Sequence, residues 1–359
     1  MKSGMDLNQL AAEITRQQAS KRDFKAATSE LTMRVDSEQG PRLKINGHGE
    51  FVPTEICHNQ LGAYAGIPAK YYDRMREQAP DLLAENVTYW LEKNKETRLV
   101  RTLDGRARAF LSNRYRTIDN VDVAEAVLPV LLRGGNDLGL RIETCNVTES
   151  RLLIKAVSER ITGTIVGEHV QSGIVISNSE VGLHSFKIEP LVYVLSCTNG
   201  AIMNDAAMRR YHVGRVMAEI ESAVEVFADD TRKADDKALM LKMRDVVRAS
   251  FDQVKFTEQT KTLSLTAGNK IERKLAEVPG VVIEQFNLPE KHADGILRAL
   301  MNHDATQWGL SNAITLYAQD EKLSYDEATE LEHVGGEILT MPRSKWLQYG
   351  TVSAEVAAA

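Results

Sequence analysis

Apolar positions recur at helical spacing in residues 6–20, where Leu7, Leu10, Ala11 and Ile14 share a face, and this predicts an amphipathic helix. The stretch that follows, including DSEQGPRLKINGHGEF, is rich in turn and polar residues and reads as a loop. Thr54 is placed to cap a helix running to about Tyr64, which GIP breaks. AKYYDRMREQ and PDLLAENVTYWLEKN follow as helices, the second with Pro80 in its first turn. Residues 1–94 are therefore expected to form an N-terminal helical segment.

From about residue 96 the pattern changes to strands. ETRLVRTL and RARAFLSNRYR flank Asp104-Gly105, a dipeptide suited to a two-residue type I′ hairpin. Asp119 and Asn120 can start a helix over VDVAEAVLPVLLR, with Pro129 inside it and Gly134-Gly135 expected to end it. Strand-like runs return in LGLRIETCN, RLLIKAVS, VQSGIVISN and FKIEPLVYVLSC. After Asn204 the chain reads as helical again, broken most clearly at VPGVVIEQFNLPEKH. The expected class is α+β: an antiparallel hairpin–helix–multistrand sheet core (95–204) between the N-terminal helical segment (1–94) and a long C-terminal helical region (205–359). Val216, Ile220, Val224 and Phe227 form an apolar stripe that predicts self-association.

Composition narrows the class. The 359 residues suit one elaborate domain or two, and 43% hydrophobic with 26% charged residues is the balance of an ordinary globular protein. No stretch approaches the ~18 uncharged apolar residues of a membrane span, and the N-terminus lacks an apolar signal core, so a cytoplasmic location is expected. Cys57, Cys145 and Cys197 are odd in number and far apart, which suggests neither a disulfide framework nor a zinc site.

Charge is uneven along the chain. Residues 1–94 carry 12 basic and 13 acidic side chains, 95–217 carry 16 and 13, and 218–359 carry 16 and 24. The basic surplus is sharpest in RARAFLSNRYRTIDN, residues 106–120. If the strand is regular, Arg106, Arg108, Phe110, Arg114 and Arg116 share one face, with Tyr115 on the other. A two-residue turn sets Arg101 opposite Arg108 and Leu99 opposite Phe110. Like charges placed across a strand pair need a counter-charge. It is expected either from Glu143, Glu149 or Glu159, or from the phosphates of a nucleic acid stacked on Phe110 or Tyr115.

The combination VRTLDGRARAFLSNRYRTIDN, SNSEVG (177–182) and CTNG (197–200) resembles a phage/plasmid-like protein family. That family is defined by a domain of unknown function and carried on prophages and plasmids. The resemblance extends to GIPAKYYDRM, WGLSNAIT and YDEATELEHVGGEIL, and it implies no established activity. The order hairpin, helix, meander is also similar to the cores of phage single-strand annealing proteins, an analogy of fold alone.

Other constellations are weaker. Asn178, Ser179 and Glu180 interrupt an apolar strand and, with Asn199, could line a site or simply end strands. Arg209 and Arg210 could add a second basic contact. Residues 59–75 resemble a helix-turn-helix in outline. Phosphate-loop, zinc-protease, nucleophile-elbow and dinucleotide fingerprints are missing, so no catalytic residue, metal or cofactor is assigned. The residues point to single-stranded nucleic-acid binding or annealing by a homo-oligomer, with a DNA-recombination role. The alternatives are a nucleic-acid- or nucleotide-processing enzyme and a duplex-DNA regulator.

Overall fold

The computed structural model describes residues 1–36, 40–203 and 229–350. Helix α1 (Leu7–Ser20) opens on a capping box between Asp6 and Gln9 and buries Leu10 and Ile14. The stretch read as a loop holds strands instead: β1 (Arg22–Ala27), β2 (Leu31–Asp36), β3 (Gly40–Ile45) and β4 (Gly49–Pro53). Their period-two signal is short. Leu31 and Met33 are buried on either side of Thr32, and Leu43 and Ile45 on either side of Lys44.

Helices α2 (Glu55–Ala65), α3 (Ala69–Gln78) and α4 (Pro80–Lys93) stand where the sequence predicts them. Thr54 accepts from Cys57 N to cap α2, and Gly66 closes that helix at φ 67°. With β5 (Thr97–Leu103) and β6 (Arg106–Ser112), the early strands form a six-stranded sheet in the order β1-β5-β6-β4-β3-β2. The three helices cover one face, where Leu61, Tyr72, Leu83 and Leu91 pack on Leu43, Val100 and Phe110. Thr88 of α4 satisfies the β2 edge, accepting from Met33 N at 3.0 Å and donating to Met33 O at 3.3 Å. Since β5 and β6 lie between β1 and β4, the boundary drawn at residue 94 runs through this sheet.

Helix α5 (Asn120–Leu138) starts as expected but passes Gly134-Gly135 and ends at Gly139. The two glycines let the helix approach the next strand: a Cβ at 134 would meet Leu140 at 2.5 Å. Strands β7 (Leu140–Val147), β8 (Leu152–Ile165), β9 (Glu168–Asn178), β10 (Lys187–Val194) and β11 (Asn199–Ile202) then form an antiparallel meander. One face of it is buried by α1, α5, α6 (Asp229–Ala249) and α7 (Gln253–Ser264), through Leu10, Val127, Met243 and Phe256.

The chain continues through α8 (Val278–Phe286), α9 (Ala293–Leu300), α10 (Gln307–Tyr317), α11 (Tyr325–Leu339) and α12 (Arg343–Gly350). These share a core around Val282, Leu300, Ile314, Leu331 and Trp346. Tyr325 of α11 also packs on the second face of the meander, against Leu153, Val175 and Leu191. The architecture is α+β, with helical segments flanking the mixed core. Val216, Ile220, Val224 and Phe227, and with them Arg209 and Arg210, lie outside the described residues. Among the described residues no helix is long and apolar enough to cross a membrane.

Lys155 of β8 and Glu332 of α11 are both 0% exposed and paired, and the ammonium also donates to Thr329 Oγ1 at 3.3 Å. Breaking such a pair from one side leaves an uncompensated buried charge. Lys155→Met alone should therefore cost about 3–5 kcal/mol. Lys155→Met with Glu332→Leu should recover most of that loss in urea denaturation. Equal losses in the single and double variants would exclude this pair as the link between α11 and the meander.

Candidate functional site

The site is built around the β5–β6 hairpin. Asp104 (φ 51°) and Gly105 (φ 74°) form the two-residue turn, and Leu103 pairs with Arg106 and Thr102 with Ala107 as the sequence predicts. The register then shifts. Arg101 faces Ala109, Val100 faces Phe110 and Leu99 faces Leu111, so Arg108 is the extra residue of a β-bulge.

The bulge corrects three expectations: Arg101 is not opposite Arg108, Leu99 is not opposite Phe110, and Phe110 does not share the arginine face. The cause is burial on both sides of β6. Ala107 and Phe110 both belong to the core beneath α2–α4, whereas Ala109 and Leu111 pack with Leu99 and Val181 on the other side. Strict alternation cannot put residues 107 and 110 on one face; one inserted residue can. Phe110 is 3% exposed and lies edge-on to Tyr64 with ring centroids 5.2 Å apart, which leaves no face for a base.

Arg101 is fully buried. It donates Nε to Asp23 at 3.0 Å, Nη2 to Asp119 at 2.6 Å and Nη1 to the Glu180 carbonyl at 3.0 Å. Arg108 donates Nη2 to the Glu180 carboxylate, whose other oxygen accepts from Asn120 N at 2.7 Å. Lys21 Nζ stands 2.5 Å from Asp119 and 4.0 Å from Glu180. Three cations thus meet three carboxylates. Of the glutamates expected to neutralise the hairpin, Glu149 reaches Arg106 at 3.4 Å, while Glu143 and Glu159 pair with Arg141.

Asn178 donates to Ile118 O and to Asn120 Oδ1, both at 2.9 Å, and Ser179 Oγ to Ser150 O at 2.7 Å. Tyr115 is half-buried and donates to Ser179 O at 2.8 Å. The hairpin and the SNSEVG segment, 70 residues apart in the chain, therefore share one site. Arg114 is exposed, and Arg116 donates to Asp235 at 2.6 Å and to Asp236 at 2.9 Å. Asn199 is elsewhere, buried against α10 with Nδ2 2.7 Å from Thr315 Oγ1.

Beside this network a cleft of about 260 Å³ opens between the hairpin tip and the β7–β8 turn, lined among others by Arg16, Arg106, Arg108, Ser150, Arg151 and Glu180. Arg16 and Arg106 are about half exposed, whereas Arg151 is buried and held by Asp326 and Glu330, each at 2.9 Å. Lys21, Asp23 and Asp119 escaped the sequence reading as members of the site. Asp119 carried only a helix-start signal, and the other two sat in a stretch read as loop. Among the described residues no group of three or more His, Cys, Asp or Glu side chains is placed to hold a metal. Cys57 and Cys145 are buried and Cys197 half-buried, and burial pushes the Cys57 thiol up to about 12.

Fold and site together define an α+β protein in which a neutral, buried charge network borders a polar cleft between two sheets. The model of the family described as Domain of unknown function (DUF932) matches residues 108–338, and the chain belongs to that family. No curated protein and no solved structure matches it.

Burial works to raise the Asp119 carboxyl, but the charge and hydrogen bond of Arg101, with those of Lys21, outweigh it and hold the group below its ordinary 3.8. A depressed folded pKa stabilises the protein above the unfolded value, and the gain is lost as pH falls through the folded one. The stability gap between wild type and Asp119→Asn should therefore be full at pH 7 and should shrink below pH 3.8. Chemical denaturation at pH 7 and pH 3 measures it. A gap independent of pH would show that Asp119 is not ionised in the network.

Proposed function

We propose that the protein is a cytoplasmic single-stranded nucleic-acid-binding or annealing protein of a phage or plasmid, acting as an oligomer. The observation that carries this reading is the gathering of Arg16, Arg106, Arg108 and Arg151 on one cleft at the end of the hairpin. The contact differs from the track along β6 that strand parity suggested, because β6 is buried from Ala107 to Leu111.

Magnitudes separate the arginines. Opening a buried, hydrogen-bonded pair such as Arg101–Asp119 costs about 3–5 kcal/mol, so Arg101 is a structural residue. The Arg106–Glu149 pair is half-exposed on one side and two-thirds exposed on the other. Pairs of that kind are worth under about 1 kcal/mol, so a phosphate can displace Glu149 at little cost. Arg106, with the exposed Arg114 and with Arg16, whose pairs with Glu13 and Asp104 are likewise partly exposed, is the accessible set. Few contacts per protomer make multivalency necessary for firm binding, which is the role of the oligomer.

Fluorescence anisotropy with a labelled single strand, across a range of salt, tests this. Arg106→Ala and Arg114→Ala should each weaken binding at every sequence and flatten the log–log salt slope by about 0.7. Both variants should keep the wild-type melting temperature. Binding with an unchanged slope in both would remove the phosphate contacts, and preference for duplex or magnesium-dependent product formation would favour the regulator or the enzyme.

A further inference from the structure

We infer that the cleft is a binding site for a single phosphate group, with Arg108 Nε as its buried donor. This rests on the phosphate-binding reading of the cleft and adds to it a position and a residue. Arg108 lines the cleft, and its side chain is nine-tenths buried. Its Nη2 is engaged with Glu180, yet its Nε is shielded from solvent and has no hydrogen-bond partner. A buried donor on a charged group left without an acceptor is destabilising, and almost all such groups in folded proteins find one. An oxyanion entering the cleft would supply the acceptor once Arg108 turns its shielded Nε toward it, and the Glu180 pair through Nη2 need not break.

The surroundings suit phosphate. Arg106 and Arg16 stand on the same lining together with their partners Glu149, Glu13 and Asp104, so a phosphate at Arg108 would gain further guanidinium donors by displacing exposed or partly exposed carboxylates. Glu180 is held by Arg108, by Asn120 N and by the nearby Lys21, so its charge is already compensated. The cleft volume of about 260 Å³ lies just below the ~300 Å³ at which small-molecule sites begin, which fits a phosphate with its sugar more closely than a large cofactor. The phosphate can come from a strand backbone or from a free nucleotide, and the experiment separates the two.

The test follows the arginine Nε–H resonances of the full chain by ¹⁵N NMR, with Arg108 assigned from its loss in Arg108→Lys. Inorganic phosphate, dTMP, thymidine and an oligothymidylate are added in turn. Phosphate and dTMP should shift the Arg108 Nε–H saturably, and thymidine should not. Arg108→Lys, which keeps a cation for Glu180, should bind dTMP at least tenfold more weakly. If that variant fails to fold, through-bond assignment of the wild-type Arg108 side chain from its backbone resonances still identifies the signal that decides the question. An Arg108 signal unmoved by saturating phosphate and dTMP overturns the inference. An oligonucleotide that binds without moving it overturns this site while leaving the single-strand reading intact. Shifts with dTMP but no oligonucleotide binding keep the site and overturn that reading, and no binding by any probe overturns both.

Discussion

The constraint on which the rest depends is the burial of Arg101. Its guanidinium is 0% exposed and ties β1 through Asp23, the start of α5 through Asp119, and the end of β9 through the Glu180 carbonyl. A planar cation with five donors can hold three acceptors in fixed directions, which a lysine could not do. The two sheets meet where these acceptors converge. Taking the charge out of water is expensive, and it is tolerable here because Lys21, Arg101 and Arg108 are matched by Asp23, Asp119 and Glu180. Burial opposes the Arg101 charge, but Asp23 and Asp119 outweigh it and raise its pKa further.

The β-bulge follows from the same requirement. Arg108 must turn toward Glu180 while Phe110 enters the core below α2–α4. Regular alternation from Arg106 would put Phe110 beside the arginines. The extra residue at 108 resolves the conflict and re-aims a charged side chain at the edge of the cleft, a common use of bulges. The bulge therefore sets both the structural pair and the wall of the proposed site.

Local signals were legible and long-range pairings were not. The Asp104-Gly105 turn, the Thr54 cap and the start of α5 at Asn120 each rest on two to four neighbouring residues, and each stands as read. The strands β1–β4 were hidden because β1, β2 and β3 show only two or three alternating apolar positions each, β4 has Phe51 and Val52 side by side, and the Gly, Pro and Asp among them give the composition of a loop. The bulge was illegible because it depends on both faces of β6 being covered, which its own residues do not reveal. Parity reasoning correctly required a counter-charge for the hairpin. It chose among glutamates near in sequence, whereas Glu180 arrives from 72 residues beyond Arg108. The SNSEVG segment stands out in the sequence for its polar break, but nothing local joins it to the hairpin.

The extent of the family match adds a physical argument about the N-terminal third. The matched segment, residues 108–338, contains Arg108, Asp119 and Glu180 but not Lys21, Asp23 or Arg101. By itself it would bury two carboxylates against one guanidinium. Desolvation is the largest influence on Asp119 and works to raise its pKa, and the charges and hydrogen bonds of Arg101 and Lys21 hold it below its ordinary value. Those two cations, with Asp23 to balance the second, come from the C-cap of α1, from β5 and from β1. The N-terminal sheet therefore completes the electrostatics of the matched region as well as covering it, and a chain lacking residues 1–107 would leave the Glu180 side of the cleft with a net negative charge. The proposed phosphate site would therefore depend on the whole network, because without Lys21 and Arg101 an incoming anion would meet the uncompensated charge of Asp119 and Glu180.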